Sequence, residues 1–361
     1  MFFVAGFAMA AWAPLVPYVK ARLGLDEGAL GLMLLCLGLG SILTMPMAGA
    51  LAGRWGCRRV IIVAGLFVCL ALPSLALVSS PPLLAGTLFV FGAGIGALDV
   101  AVNIQAIAVE RARGRPMMSG FHGFYSVGGI AGATGVAAIF AAGASPLAAT
   151  LIAGLASAGA LAIAAPNLLT SGGAGGGPAF AFPRGVVWLI GALCFIMFLT
   201  EGSVLDWSAV FLNTVRGMPR SFAGLGFAAF ALTMTIGRLT GDRVVHRFGG
   251  RRIVVLGALC AAAGFAIVAF IASWPLALFG YGLVGLGCSN VVPVLFTGVG
   301  RQTAMPESVA VPAITTLGYA GILLGPAAIG PVAHATSLPA AFGMLIFLLL
   351  CVAASGVWLG V

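Results

Sequence analysis

The sequence predicts an all-α polytopic membrane protein: twelve transmembrane helices in two pseudo-symmetric six-helix bundles. Three observations carry this expectation. Of 361 residues, 61% are hydrophobic and 7% charged, with a mean hydropathy of +1.18, whereas about a quarter of an ordinary soluble domain is charged. The apolar residues fall into runs of the roughly 20 residues that a bilayer span requires. A basic turn, Arg-Trp-Gly-Cys-Arg-Arg-Val over 54–60, returns as Arg-Phe-Gly-Gly-Arg-Arg-Ile over 247–253. That repeat is set 193 positions along, roughly half the chain, which points to an internal duplication.

Breaking the apolar runs at charges and at Pro/Gly/Ser clusters gives twelve spans, at about 1–18, 29–52, 60–78, 83–109, 117–142, 146–165, 186–212, 221–241, 253–272, 275–300, 308–333 and 338–359. The first run is followed by Lys20 and has no basic stretch before it, so it is read as helix 1 and not as a signal peptide. The longest connection, 166–185, is rich in glycine and reads as a flexible cytoplasmic linker. It divides an N-terminal bundle, 1–165, from a C-terminal one, 186–361. The 54 glycines would weaken helices in water, but in lipid small residues let helix backbones approach. The seven cysteines show no metal-ligand spacing, and neither a metal nor a cofactor is expected.

One set of alternate loops holds twelve arginines, at 54, 58, 59, 111, 113, 115, 184, 243, 247, 251, 252 and 301. The other holds four basic residues, Lys20, Arg22, Arg216 and Arg220. The positive-inside rule then places both termini in the cytoplasm. Scattered over short loops, the net charge of +9 reads as membrane orientation and not as a nucleic-acid surface.

The duplication shows elsewhere too. Gly-Ile-Gly-Ala-Leu-Asp-Val at 94–100 aligns with Gly-Leu-Gly-Cys-Ser-Asn-Val at 285–291, setting Asp99 opposite Asn290. Ala-Trp-Ala at 11–13 aligns with Asp-Trp-Ser at 206–208. Matches in one order and nearly one register argue for two parallel halves related by an axis along the membrane normal.

With the Arg-aromatic-Gly-x-Arg-Arg turn after helices 2 and 8, the chain resembles the major facilitator superfamily of secondary transporters. The family loop reads Gly-x-x-x-Asp-Arg-x-Gly-Arg-Arg. Gly49, Arg54, Gly56 and Arg58 fit its first copy, with Arg59 following, but Gly53 replaces the acid. In the second copy, Arg247, Gly249 and Arg251 fit, with Arg252 following, His246 holds the acid position, and the pair Asp242 and Arg243 sits four residues earlier. The resemblance implies that these residues form cytoplasmic gate loops, with Asp242 and Arg243 dominating any latch. Leu-Asp-Val-Ala-Val-Asn at 98–103, Phe-His-Gly-Phe-Tyr-Ser at 121–126, Glu-Gly-Ser-Val-Leu-Asp-Trp-Ser at 201–208 and Gly-Tyr-Ala-Gly-Ile-Leu-Leu-Gly-Pro at 318–326 are similar to bacterial inner-membrane permeases grouped near the fucose permease. That likeness implies a multi-pass protein of the bacterial inner membrane, with helices 1, 4, 7 and 10 around a central cavity.

An ionisable side chain inside a span costs about 2.5–3.5 kcal/mol on insertion scales and is a functional hypothesis by default. Asp99 lies about 16 residues into helix 4, roughly 24 Å from its outer end. Glu201 lies near the middle of helix 7, and Asp206 nearer the outer mouth. No Lys or Arg is expected deep in a span beside them, and a carboxyl buried without a cation is suited to load and unload protons. Asp99 and Glu201 are therefore the leading proton-coupling residues, with Asp206 a third. Asn103 shares a helix face with Asp99. Asn103, His122, Tyr125, Ser289 and Asn290 form the candidate polar lining for a solute, and Trp12 and Trp207 its candidate apolar faces. Each also has a structural reading, as a packing residue or an interfacial belt tryptophan.

These features predict a secondary active transporter of a small polar solute, a sugar or related metabolite. It would work by alternating access as a proton symporter, partnered by solute, protons and the lipid bilayer, with no catalytic residue, and would act as a monomer. Proton-driven efflux of a drug or metabolite is the alternative. Family antiporters of that kind usually carry a Gly-Pro pair in helix 5 and an arginine within helix 4, and this chain has neither. A receptor or scaffold would need no midplane acids.

Overall fold

The computed structural model describes residues 1–170, 182–219 and 222–356. The middle of the linker, 171–181, and Arg220 lie outside the described residues. In chain order the helices are α1 (Phe2–Leu23), α2 (Glu27–Trp55), α3 (Cys57–Leu77), α4 (Pro81–Arg113), α5 (Met118–Ala141), α6 (Pro146–Ala164), α7 (Val186–Thr214), α8 (Leu225–Phe248), α9 (Gly250–Phe270), α10 (Trp274–Arg301), α11 (Glu307–Ala335) and α12 (Leu338–Ser355). Among the described residues, each of the twelve expected spans is helical over most of its length. Eleven of the described helices are long and apolar enough to cross a membrane; α8 is more polar because it carries Arg238, Asp242, Arg243 and Arg247.

The basic stretch between the expected spans 221–241 and 253–272 is not a loop but helical almost throughout. α8 runs to Phe248 and α9 starts at Gly250. The bend is one residue, Gly249, at φ 80° and ψ 149°. Its repeat partner Gly56 has nearly the same conformation, φ 85° and ψ 151°. Left-handed φ at this point is open to glycine and strained for other residues, which explains why glycine stands at both turns.

By contact the chain forms two compact units. One comprises Met1–Val109, Phe124–Phe182 and Pro306–Ala313; the other comprises Glu110–Gly123, Pro183–Met305 and the chain from Ile314 onward. The units depart from the sequence halves at two helix starts, those of α5 and α11.

Within the first unit, a Cβ on Gly92 of α4 would overlap the Leu37 carbonyl of α2, and one on Gly128 of α5 the Phe3 carbonyl of α1. Within the second, Gly285 of α10 stands in the same relation to Phe230 of α8, and Gly321 of α11 to Phe195 of α7. The glycines of each pair are 193 positions apart, so the duplication visible in the turns is also present in the packing. Close backbone approach at small residues is how membrane helices gain contact without a hydrophobic drive.

The minority charges of the second set of loops have a structural use. Arg22 donates to the carbonyls of Leu75 and Ala76 at the end of α3, and Arg216 donates to Val268 and Ala269 at the end of α9, 2.6 and 2.9 Å away. Carbonyls at a helix C-terminus have no partner within the helix, and a cation there also suits the helix dipole.

At Gly49 of α2, a Cβ would overlap the Ser308 carbonyl and the Pro312 ring at the start of α11. These helices meet with no room for a side chain.

Candidate functional site

The polar interior of the second unit is built around a break in α10. Its helix is interrupted at Ser289 and Asn290, between Trp274–Cys288 and Val291–Arg301. Pro293 has no N–H to give the carbonyl four residues earlier, and that carbonyl belongs to Ser289. Arg238 of α8 takes the freed acceptor, Nε to Ser289 O at 3.4 Å. Its Nη2 lies 3.2 Å from Glu201 Oε1 on α7, an ion pair with side chains 9% and 16% exposed. Asn290 Nδ2 donates to Gly237 O at 3.1 Å and to Ser289 Oγ at 3.0 Å. Gly237 and Gly241 on α8 leave the space, since a Cβ at either would collide with Ser289 or Asn290.

This arrangement corrects one expectation. A basic side chain does lie deep in a span, and Glu201 is not an isolated acid. Arg238 sits at the fourteenth of the 24 positions of α8; ending the span at 241 places it close to the surface, whereas the helix extends seven residues further. The structure brings Glu201, Ser289 and Asn290 together, and adds Arg238 to them.

Asp99 on α4 is different. Its neighbour is Asn103, one turn on, whose Nδ2 donates to Asp99 O at 2.9 Å and to Oδ1 at 3.2 Å. Asp99 is thus held by an amide and Glu201 by a guanidinium. Asn103 Oδ1 and Asn290 Oδ1 are buried acceptors without a hydrogen-bond partner, and the indole nitrogens of Trp12 and Trp207 are buried donors in the same condition. Trp12 is 4% exposed and packs in the core of the first unit among Leu15, Leu72 and Leu75. Trp207 is half-buried beside Gly330. Asp206 is exposed. His122 places its ring 5.6 Å from that of Phe296, and Tyr125 lends its carbonyl to the close approach of Gly6.

A third cluster surrounds the start of α5. Glu110 Oε2 accepts from the N–H groups of Met117 and Met118 at 2.7 and 2.9 Å, and Asp242 Oδ2 accepts from Gly120 N–H at 3.0 Å. Carboxylates here satisfy helix donors that have no partner within the helix and face the positive end of its dipole. The hydrogen bond of Asp242 goes to this helix and not to Arg243, which lines a cleft of about 410 Å³ with Arg115, Met117, Leu239 and His246. Arg54, Arg59, Arg247, Arg251 and Arg252 are exposed and Arg58 half-buried; Arg247 lies over the Phe248 ring at 5.6 Å. Glu110 belongs to a Val-Glu pair at 109–110 that also matches the permease group, but nothing in the sequence marked it for a site role.

A carboxylate at a helix N-terminus is worth about 0.3–1 kcal/mol, up to about 2 when partly buried. Asp242→Asn is therefore expected to change the ratio of inward to outward accessibility, read by cysteine labelling, by several-fold. An unchanged ratio marks the contact as a helix cap alone.

A model of the Major Facilitator Superfamily matches residues 1–326. The chain belongs to the major facilitator superfamily. It is 56% identical to an uncharacterised MFS-type transporter of Yersinia pestis, over 98% of this chain and 92% of that one. Among solved structures it is similar to the E. coli fucose:proton symporter FucP, with TM-score 0.78 and 19% identity over 98% of this chain and 96% of that one. It is also similar to the proton:xylose symporter XylE, with TM-score 0.80 and 14% identity over 98% and 92%. The chain is thus a multi-pass membrane transporter of the superfamily, built to move a small solute and not to catalyse a reaction.

Proposed function

We propose that this transporter is a proton symporter that carries a small neutral polyhydroxylated solute, a sugar or related metabolite, across the bacterial cytoplasmic membrane by alternating access. It works as a monomer with both termini in the cytoplasm, Asp99 is its proton carrier, and Asn103 and Asn290 bind solute hydroxyls. The observation that carries the reading is the difference between the two interior acids. Glu201 is committed to Arg238 at 3.2 Å, while among the described residues Asp99 is held by the amide of its neighbour Asn103 and by no cation. An acid without a counterion can gain and lose a proton without breaking an ion pair. Buried amide oxygens that lack partners, on Asn103 and Asn290, suit the hydroxyls of a neutral solute, because leaving such groups unmatched costs about 1–3 kcal/mol each. The fucose:proton and proton:xylose symporters that share the fold agree with this substrate class.

The test is uptake into proteoliposomes, using a sugar selected by thermal stabilisation of the purified protein. Accumulation above the external concentration is expected with an inward pH gradient, and equilibration alone without one. Accumulation indifferent to the gradient would sink proton coupling.

A further inference from the structure

The first unit carries an apolar groove of about 310 Å³ among α2, α3 and α4. Small residues make its floor: Ala48, Ala64, Gly94 and Ala97. Phe67 and Phe89 flank it, both exposed. From Phe67 to Arg59 along α3 is eight residues, roughly 12 Å. There the lining changes character. Trp55 and Arg59, both exposed, close the groove at the α2–α3 turn, which also carries Arg54 and Arg58.

The duplication supplies an internal comparison. The positions of the second unit that correspond to Ala64 and Gly94, 193 residues on, are Gly257 and Gly287. There α9 and α10 touch backbone to backbone: a Cβ on either glycine would collide with the carbonyl of the other. In the first unit the nearest atoms to a Cβ on Gly94 are Val68 Cγ2 at 2.8 Å and Ala64 O at 3.3 Å. Alanine at position 64 and the valine beside it hold α3 and α4 further apart. At this point α3 and α4 therefore stand further apart than α9 and α10 do, although both copies keep the arginines of the turn.

We propose that this groove binds a phospholipid with an anionic headgroup, from the leaflet that faces the α2–α3 turn. One acyl chain lies on Ala64, Gly94 and Ala97, and the headgroup phosphate meets Arg59. Charge complementarity selects this occupant. An apolar trough that ends on a cation matches a molecule with an apolar tail and a negative head. A zwitterionic lipid would fill the trough but gain little from the arginine, while basic pockets between membrane helices favour anionic heads. Trp55 at the mouth suits the headgroup level, where indole rings concentrate.

The test uses the full-length protein purified in detergent, offered phosphatidylglycerol or phosphatidylcholine with matched acyl chains, with retained lipid counted by native mass spectrometry. Phosphatidylglycerol is expected to be retained over phosphatidylcholine by roughly fivefold, the worth of about one basic residue at a charged surface. Arg59→Gln should bring the ratio to about one while leaving retention of phosphatidylcholine unchanged. Ala93→Phe, which fills the trough from α4, should lower retention of both lipids. Should a variant fail to fold, raising the salt concentration on the wild type must shrink the preference, since the headgroup contact is screened. Equal retention of the two lipids by the wild type, a preference that survives Arg59→Gln or high salt, or retention untouched by Ala93→Phe would each overturn the proposal.

Discussion

Arg238→Ala is expected to destabilise this transporter by about 3–5 kcal/mol, the usual cost of removing one partner from a buried ion pair. The loss should appear as a large drop in melting temperature in detergent and in the yield of monodisperse protein. The cause is less the absent arginine than what it leaves behind: Glu201, 16% exposed, would be left in the membrane interior without its cationic partner, whether ionised or neutralised. The Ser289 carbonyl freed by Pro293 would lose its donor as well. Replacing both partners, Arg238→Met with Glu201→Leu, should recover most of the stability, because a buried pair exchanged for apolar residues of similar volume is often neutral. A single variant that melts like the wild type would show that the pair carries no structural burden. A double variant as unstable as the single one would place the effect in the Ser289 contact.

Asp99→Asn should have the largest effect on transport. The asparagine retains the size of the side chain and an oxygen for Asn103, so folding and solute binding are expected to survive. Accumulation driven by a pH gradient is expected to vanish, leaving the internal solute at its external concentration, while exchange of labelled for unlabelled solute continues. Accumulation equal to that of the wild type would remove Asp99 from the coupling step. Measured beside Arg238→Ala, this result separates the two acids: one variant loses coupling with the fold intact, the other loses the fold.

The helices were legible because each span is a long apolar run, and in lipid the cost of unpaired backbone groups leaves the chain few alternatives to helix. The repeat was legible from Gly56 and Gly249 because a left-handed turn keeps its glycine in both copies. What the sequence concealed was the identity of partners. Charge marks the end of a span only when the charge faces water, and Arg238 does not; its acceptors, Glu201 and Ser289, lie 37 and 51 positions away. Asp242 read as half of an Asp-Arg pair because Arg243 is next to it, while its hydrogen bond goes to Gly120, 122 positions distant. Neither link has a local signature. Pro293 does: a proline shortly after a Gly-Cys-Ser-Asn stretch inside an apolar run signals a released carbonyl that some donor must meet.

Positions 49 and 242 are the same place in the two copies, 193 residues apart, and each touches the first turn of another helix. Gly49 does so by having no side chain, against Ser308 and Pro312; Asp242 does so with a carboxylate, on Gly120. One contact depends on volume, the other on a carboxylate. Contacts that began as duplicates have become two adjustments with separate settings, so a substitution can reset one and leave the other as it was.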